Sequence, residues 1–216
     1  VLSLEVRQQL LLPGPRFAKR SIDLLVSLFG GIAILPLIGL IMLLIRLESR
    51  GPVFYGHTRI GRGGRRFKAW KFRSMRLDAD RVLKDYLEQH PELRQEWETS
   101  QKLKNDPRVT RTGWLLRKTS LDELPQLFNV LMGEMSLVGP RPIVDAEVEK
   151  YEHFFRLYLK VRPGISGLWQ VSGRSDTTYT ERVQLDTYYV RNWSVWLDIY
   201  ILARTIRVVL LGNGAY

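Results

Sequence analysis

Two adjacent carboxylates, Asp122 and Glu123, stand out in a chain that is otherwise strongly basic. The 216 residues include 33 Lys and Arg against 22 Asp and Glu, a formal net charge of +11. Arg117 precedes the pair and Arg141 follows it. A carboxylate can accept a phosphoryl group as a nucleophile, and one or two carboxylates with substrate phosphates can hold Mg²⁺. Nearby arginines suit both chemistries, because they clamp phosphates through paired hydrogen bonds.

The same residues also match a helix start. Ser120 and Glu123 have the S-x-x-E spacing of a capping box. Pro125 shifts the expected start towards Asp122, because proline is tolerated only in the first turn. We therefore expect a helix within residues 119–132, with both carboxylates ionised at the positive end of its dipole, and with a core face formed by Leu124, Leu127, Phe128 and Leu131. The pattern leaves an active site and a plain cap open, whereas a glycosidase pair is disfavoured, since its carboxyls flank one bond from separate elements.

The composition limits the chemistry that the chain can perform. A chain of this length predicts one domain with a sizeable core. It has no cysteine, which excludes disulfides, thiolate nucleophiles and cysteine-based zinc sites. Its three histidines are far apart and have no metal-ligand spacing. The positive charge is compatible with nucleic acid, anionic lipid or phosphorylated substrates as partners.

An uncharged run from Leu24 to Ile45 predicts a membrane segment. Its 22 residues would extend about 33 Å as a helix, enough to cross a bilayer. However, Pro36 interrupts the run and predicts a sharp kink. Arginines and lysines flank both ends, and basic flanks favour the cytoplasmic side. The segment is therefore either a kinked transmembrane helix or a re-entrant helix whose two ends stay on one side.

Glycines and prolines divide the segments on either side of this run. Residues 1–18 predict a short helix ended by Pro13-Gly14-Pro15, and residues 52–75 predict two strands around a turn at Gly63-Gly64. The basic hairpin is either a solvated edge or a surface for phosphates. It is not a Walker or dinucleotide motif, because no helix is expected directly after its glycines.

Two further stretches predict helices. Residues 77–104 are rich in charged residues and leucine and indicate a solvent-facing helical lobe with a break at Pro91. The stretch 186–212 mixes aromatic, aliphatic and arginine residues, which indicates a helix at a membrane interface or an ordinary amphipathic core helix.

Three blocks carry a resemblance to a known family. They are KFRSM (71–75), DPRVTRTGWLLRKTSLDELPQLFNVLMGEMSLVGPRP (106–142) and RPGISGLWQVSGR (162–174). In this order they resemble the bacterial polyprenyl-phosphate sugar-1-phosphate transferases, the monotopic phosphoglycosyl transferases that initiate O-antigen, capsule and exopolysaccharide synthesis. The resemblance extends from about Arg16 to the C-terminus.

The resemblance implies an activity and a site. A hexose-1-phosphate, with galactose favoured and glucose as the alternative, would pass from a UDP-sugar to undecaprenyl phosphate, and UMP would leave. Asp122 matches the nucleophile of a ping-pong mechanism with a covalent aspartyl-phosphosugar intermediate. Glu123 matches the residue that positions Mg²⁺, so that both acids of the pair are candidate metal ligands. The implied substrate-binding residues are Lys71, Arg117, Arg141 and Arg174.

The resemblance also implies an architecture. We expect an α/β, mainly α, monotopic membrane protein with a re-entrant kinked membrane helix, a small β-hairpin and interfacial amphipathic helices. The expected units are a connecting helix (1–18), the membrane helix (19–50) and a membrane-associated catalytic domain (51–216) on the cytoplasmic face of the bacterial inner membrane. Where the family has Ser-Pro at the bend, this chain has Leu35-Pro36.

The remaining expectations concern the partners. The leading segment predicts the catalytic part of a longer protein, and a homo-oligomer is compatible with the sequence. Inner-membrane lipids are expected partners, whereas nucleic acid is not. The alternative from another class is a non-catalytic, membrane-anchored basic module that binds anionic lipid or nucleic acid. A nucleotide-sugar hydrolase is a second enzymatic alternative, since it would release UMP without a lipid acceptor.

Overall fold

Helices form most of the structure in the computed structural model, which describes residues 9–100, 103, 105–173 and 178–211. The α-helices are α1 (Pro13–Ala33), α2 (Leu35–Glu48), α3 (Ala79–Gln89), α4 (Arg94–Ser100), α5 (Arg111–Lys118), α6 (Gln126–Met132), α7 (Val148–Tyr151), α8 (Phe155–Tyr158), α9 (Leu168–Ser172), α10 (Tyr179–Arg191) and α11 (Val195–Leu211). The strands are β1 (Phe54–Ile60), β2 (Arg66–Phe72), β3 (Ser136–Val138) and β4 (Gly164–Ser166). The chain is thus mainly helical with a small antiparallel hairpin, as the sequence predicted.

The apolar run folds as two helices, α1 and α2, which meet at Ile34 with a bend of 61°. Pro36 lies at the second position of α2, where its missing N–H would have no partner within the helix. The predicted kink is therefore confirmed. Within the described ranges, no single helix is long and apolar enough to cross a membrane, whereas the bent pair passes that test together.

The segment before this run differs from the prediction. Pro13-Gly14-Pro15 begins α1 and does not end a helix, because a proline at the first helical position costs no hydrogen bond. A short 3-10 turn at Gln9–Leu11 precedes it. Residues 1–8 of the predicted helix lie outside the described residues.

Buried polar contacts fix the first half of α1 to the rest of the chain. Lys19 donates to Asp198 of α11 at 2.7 Å. Asp23 accepts from the Ser136 hydroxyl at 2.7 Å and from the Leu137 N–H at 3.2 Å. Buried charges are stabilising only when they are paired in this way, so these contacts specify where α1 enters the fold.

The predicted hairpin and the helix break at Pro91 are both confirmed. β1 pairs antiparallel with β2, with Tyr55 opposite Lys71, and the turn between them contains Gly63 and Gly64 with positive φ. A strand, not a helix, follows these glycines. A 3-10 turn at Pro91–Leu93 separates α3 from α4.

A small cluster joins the bent helix pair to the hairpin. Ile41 and Ile45 of α2 pack with Phe72 of β2 and Leu116 of α5, and all four are almost fully buried. Apolar burial stabilises such a cluster by roughly 25 cal/mol per Å². The elements on either side of residues 119–123 are thereby held against α2.

Two loops that are distant in sequence meet through β3 and β4, which pair in parallel. A Cβ at Gly139 would lie 2.7 Å from the Arg162 carbonyl, and one at Gly164 would overlap the backbone of Gly139. Only glycine allows this approach. The pairing connects the segment that contains Arg141 to the start of the RPGISGLWQVSGR stretch.

Candidate active site

Asp122 and Glu123 lie in a short 3-10 turn, Leu121–Glu123, between α5 and α6. Asp122 is 8% exposed, and Glu123 is partly buried. Ser120 enters the turn with φ +55°, a left-handed conformation that costs free energy for any residue with a Cβ. The backbone therefore leaves the helical path of α5 just before the two carboxylates.

The predicted capping arrangement is wrong. Ser120 makes no side-chain cap hydrogen bond, and the regular helix α6 begins only at Gln126, after Pro125. The left-handed Ser120 separates the carboxylates from α5, and Pro125 separates them from α6. Neither a capping box nor a position at the start of a long helix accounts for the adjacent Asp122 and Glu123.

The predicted core face of this helix is only partly correct. Phe128 is 57% exposed, whereas the buried positions of α6 are Gln126, Asn129 and Val130. Asn129 is buried because its amide bonds the β2 backbone, accepting from Trp70 N–H at 3.1 Å and donating to the Lys68 carbonyl at 2.8 Å. Polar pairing to the hairpin, not apolar spacing, sets the orientation of α6.

Lys71, one of the predicted substrate-binding residues, contacts both carboxylates. Its Nζ lies 2.6 Å from Glu123 Oε1 and 3.5 Å from Asp122 Oδ2. Lys71 belongs to β2, so its position follows from the hairpin register. One ammonium between two carboxylates offsets part of their mutual repulsion.

Arg117 reaches the same region from the end of α5. Its Nε donates to the Ser74 hydroxyl at 2.9 Å, and its charge attracts Asp122. α5 can approach because residue 113 is glycine: a Cβ there would collide with the Ser74 carbonyl. Sequence reasoning missed both Ser74 and Gly113, although the RTG and RSM stretches contain them.

A tight ion pair lies next to Arg117. Arg108 donates to the Asp106 carboxylate from Nε at 2.8 Å and from Nη2 at 2.6 Å. This bidentate contact, together with bonds from the Arg108 N–H, lowers the pKa of Asp106 although burial opposes the shift. The ion pair thus fixes the conformation of the DPR stretch beside the Arg117 guanidinium.

The electrostatic balance at Asp122 differs from the expectation of a carboxylate held ionised by a helix dipole. Burial raises the pKa of the Asp122 carboxyl, and the adjacent Glu123 adds to the rise. Lys71 and Arg117 act in the opposite direction, through charge and, for Lys71, a hydrogen bond. The two cations therefore partly offset the cost of burying this carboxylate.

Arg141 lies in a second group of contacts. Its guanidinium carbon is 5.5 Å from the centre of the Trp169 ring, and its charge acts on the buried Asp186 carboxyl. Burial raises the pKa of Asp186 to about 7. Burial and the nearby Arg141 charge lower the pKa of Arg59. Glu147 partly compensates the positive charge of this group, since it lies 3.8 Å from Arg59.

Strand β1 connects the two groups. Burial and repulsion from Arg59 and Lys71 lower the pKa of His57, so this imidazole lies within the fields of both cations. The basic residues of the hairpin extend from the carboxylate pair towards Arg141. Arg174, the remaining predicted site residue, lies outside the described residues.

The donor set at the pair is compatible with a hard divalent cation. Two carboxylates from neighbouring residues are the ligands that Mg²⁺ takes when substrate phosphates and water complete its coordination. Across residues 9–100, 103, 105–173 and 178–211, no group of three or more His, Asp or Glu side chains could hold a metal ion. The described protein groups therefore offer a two-carboxylate site and not a full cage.

Comparisons with known proteins identify the family of the chain. The sequence profile of the bacterial sugar transferases matches residues 14–212. The chain is 50% identical over 199 residues to the exopolysaccharide production protein ExoY of Sinorhizobium fredii, covering 92% of this chain and 88% of that protein. It is 50% identical over its full length to the undecaprenyl-phosphate galactose phosphotransferase of Salmonella typhimurium, of which it covers 45%.

A more distant relative has a different hexose in its name. The UDP-glucose:undecaprenyl-phosphate glucose-1-phosphate transferase of Escherichia coli is 40% identical over 210 residues, covering 93% of this chain and 42% of that protein. The chain thus spans less than half of the two undecaprenyl-phosphate transferases but most of the ExoY protein. The family profile covers nearly all of the chain, which therefore belongs to the bacterial sugar transferase family.

Proposed function

We propose that this chain transfers hexose-1-phosphate from a UDP-sugar to undecaprenyl phosphate and releases UMP, the first step of O-antigen, capsule or exopolysaccharide synthesis. The observation that carries the proposal is the contact of Lys71 with both Asp122 and Glu123. Galactose is favoured over glucose, because the galactose-named relative is 50% identical and the glucose-named one is 40% identical.

In the first step, a carboxylate oxygen of Asp122 attacks the phosphorus next to the sugar. The oxygen–phosphorus bond forms as the bond to the bridging oxygen of the diphosphate breaks, and UMP leaves with that electron pair. Lys71 and Arg117 keep the buried carboxyl available as an anion, since both lower its pKa. Arg141 contacts the donor phosphates through its planar guanidinium.

In the second step, a phosphate oxygen of undecaprenyl phosphate attacks the same phosphorus. The bond between Asp122 and phosphorus breaks, the carboxylate is regenerated, and the polyprenyl diphosphate sugar leaves. Burial of Asp122 limits the access of water to the acyl phosphate between the steps. A transferase must exclude water from this intermediate, whereas a nucleotide-sugar hydrolase lets water cleave it.

The proposal includes Mg²⁺. Asp122 and Glu123 would hold the ion, which when bound would neutralise negative charge on the phosphates. Lys71 orients both carboxylates in its absence through the contacts at 2.6 and 3.5 Å. The role of Lys71 is therefore to fix the two side chains before the donor arrives.

We further propose that residues 19–50 form a re-entrant membrane helix and that residues 51–216 form a catalytic domain on the cytoplasmic face of the bacterial inner membrane. The 61° bend and the exposed apolar side chains on both arms support this, Phe29 and Leu47 among them. Trp196 of α11 is 79% exposed, a residue type enriched where protein meets the bilayer interface.

Intact mass spectrometry after incubation with UDP-galactose, Mg²⁺ and no lipid acceptor tests the mechanism. We expect a hexose-phosphate adduct that fragmentation maps to Asp122 and that disappears on addition of undecaprenyl phosphate. Asp122→Asn should abolish it, whereas Glu123→Gln should weaken metal-dependent turnover and still allow some adduct. An adduct that persists in Asp122→Asn, or that maps to Glu123, would refute the assignment.

Two controls separate the alternatives. A UDP-glucose arm under the same conditions reports the sugar preference. Multiple turnovers of UMP release without any acceptor would indicate a nucleotide-sugar hydrolase. A chain that releases no UMP from either donor, with or without undecaprenyl phosphate, would be a non-catalytic basic module.

A further inference from the structure

A basic cleft, separate from the carboxylate pair, lies where α1 enters the fold. One carboxylate, Asp23, and six cationic side chains line it: Arg16, Lys19, Arg20, Arg62, Lys160 and Arg162. Asp23 is already satisfied, because it accepts hydrogen bonds from Ser136 and Leu137 and lies 3.8 Å from Lys19. Lys19 is also paired with Asp198 at 2.7 Å, so two carboxylates stand against six cations and cannot balance them.

Three of the arginines are bound by uncharged groups: Arg16, which donates to the Leu10 carbonyl at 3.0 Å, and two arginines at the end of α6. Arg20 donates to the Val130 carbonyl at 2.6 Å and to the Leu131 carbonyl at 3.1 Å. Arg162 donates from Nε to the Gly133 carbonyl at 2.7 Å. These contacts fix the guanidinium groups at the end of α6, but a carbonyl does not neutralise a charge. The fixed positive charge remains directed into the cleft.

Arg62 and Lys160 add exposed positive charge at the rim. Both are exposed, and in the described part of the chain neither side chain has a hydrogen bond or an ion pair. The Gly63 N–H donates to the Leu159 carbonyl at 2.8 Å, which brings the hairpin turn and the segment after α8 together. The two side chains can therefore approach a common ligand.

The electrostatics of Arg162 point to a missing counter-charge. Burial lowers its pKa first, and repulsion from Arg62, Arg20 and Arg16 lowers it further, with only Asp23 opposing. Several like charges around a half-buried arginine are unfavourable unless an anion joins them. Phosphate groups fit, because they accept paired, charge-assisted hydrogen bonds from guanidinium groups.

We propose that this cleft binds a phosphate-bearing anion, with the headgroup of an anionic membrane phospholipid as its source. Arg20 precedes the apolar run by one helical turn, which sets the cleft at headgroup depth. That choice of source rests on the proposed re-entrant topology, whereas the phosphate chemistry does not. The site is not the catalytic one, because Arg20 and Arg162 bind the far end of α6, about 10 Å of helix from the carboxylate pair.

Thermal unfolding of the full chain in an uncharged detergent tests the proposal. Dioctanoyl phosphatidylglycerol should raise Tm saturably, and dioctanoyl phosphatidylcholine should not. The double variant Arg62→Gln/Lys160→Gln should bind phosphatidylglycerol about tenfold more weakly. The matched control, Arg65→Gln/Lys84→Gln, loses the same charge at exposed positions outside the cleft and should respond as the unmodified chain does.

An inorganic phosphate arm distinguishes the two sources. Phosphate that raises Tm alone and competes with phosphatidylglycerol at similar concentration assigns the cleft to free phosphate, whereas a lipid-only response assigns it to the headgroup. Equal phosphatidylglycerol responses in the two double variants would overturn the site. If the double variant unfolds, the single variant Lys160→Gln repeats the comparison. UMP release, assayed in parallel, separates a failure here from a failure of the proposed catalysis.

Discussion

The carboxylate of Glu48 lies 2.7 Å from the backbone nitrogen of Arg111 and accepts its hydrogen bond. The other carboxylate oxygen accepts from the Thr112 N–H at 3.0 Å. The last residue of α2 thus binds the first turn of α5, the helix that ends with Arg117. The proposed membrane helix and the candidate site therefore share a direct polar contact.

We expect Glu48→Ala to destabilise the fold by about 1 kcal/mol, because two N–H groups at the start of α5 lose their acceptor. Turnover should fall as Arg117 loses its fixed position, and Glu48→Gln, which keeps one acceptor, should have a smaller effect. Thermal unfolding and UMP release measure both quantities. Glu88→Ala, at an exposed position on α3, is the control. Equal effects of Glu48→Ala and Glu88→Ala would contradict the coupling.

Gly113→Ala tests the close approach of α5 to β2. The added methyl group would overlap the Ser74 carbonyl, so we expect a loss of about 1–3 kcal/mol in stability and a lower rate of UMP release. Gly14→Ala is the matched control, since its Cβ would meet open space near the start of α1. A Gly113→Ala variant as stable and active as Gly14→Ala would show that the contact is not required.

Lys71→Met should change the pH dependence of the reaction. Lys71 lowers the pKa of Asp122, so its removal raises that pKa further and moves the acidic limb of the kcat/KM profile to higher pH. The rate at neutral pH should fall by about a hundredfold. Lys68→Met, on the same strand and exposed, should leave the profile unchanged. An acidic limb that stays in place or moves to lower pH would argue against this role.

Asp122→Asn should increase stability while it removes the activity. The folded-state pKa of Asp122 lies above its ordinary value of 3.8, so ionisation of this residue lowers stability as the pH rises through that interval. The advantage of the Asn variant in Tm should be absent well below pH 3.8 and complete above the folded-state pKa. Tm measured for both chains across this range is the test. A variant less stable than the parent at neutral pH would mean that the cations outweigh burial.

The topology of α1 and α2 can be measured with introduced cysteines, because the chain has none of its own. Phe17→Cys near the start of α1 and Arg65→Cys after the end of α2 lie at exposed positions. We expect both to react with an impermeant reagent only from the cytoplasmic side of inner-membrane vesicles. Pro36→Leu should straighten the pair and favour spanning. Labelling from opposite sides in the parent background would exclude the re-entrant arrangement.

The sequence correctly predicted the turns, breaks and kinks that glycine or proline residues mark. The glycine pair at the hairpin turn, the break at Pro91 and the kink before Pro36 each follow from the backbone limits of one or two residues. Lys71 was assigned to the site through family resemblance, and the hairpin register brings it to the carboxylates. Residue chemistry alone left the adjacent Asp122 and Glu123 undecided between a cap and an active site.

The missed features depend on contacts between distant segments. Periodicity predicted Phe128 as a core residue, but an apolar spacing does not specify whether a face meets protein or another environment. Asn129 is buried through bonds to β2 that no local pattern encodes. The approach of Gly139 to Gly164 likewise joins two loops 25 residues apart in the chain. Such contacts are tertiary and become visible only in three dimensions.

The left-handed Ser120 also determines how the chain tolerates insertions and deletions. In an uninterrupted α-helix, residues five apart such as Arg117 and Asp122 would point about 140° away from each other. The left-handed Ser120 interrupts that helical path, and the Arg117 guanidinium acts on the Asp122 carboxylate. The two groups therefore meet only if Asp122 lies five positions after Arg117 along the chain. Adding or removing one residue between Lys118 and Asp122 would separate the two groups even if every side chain were retained.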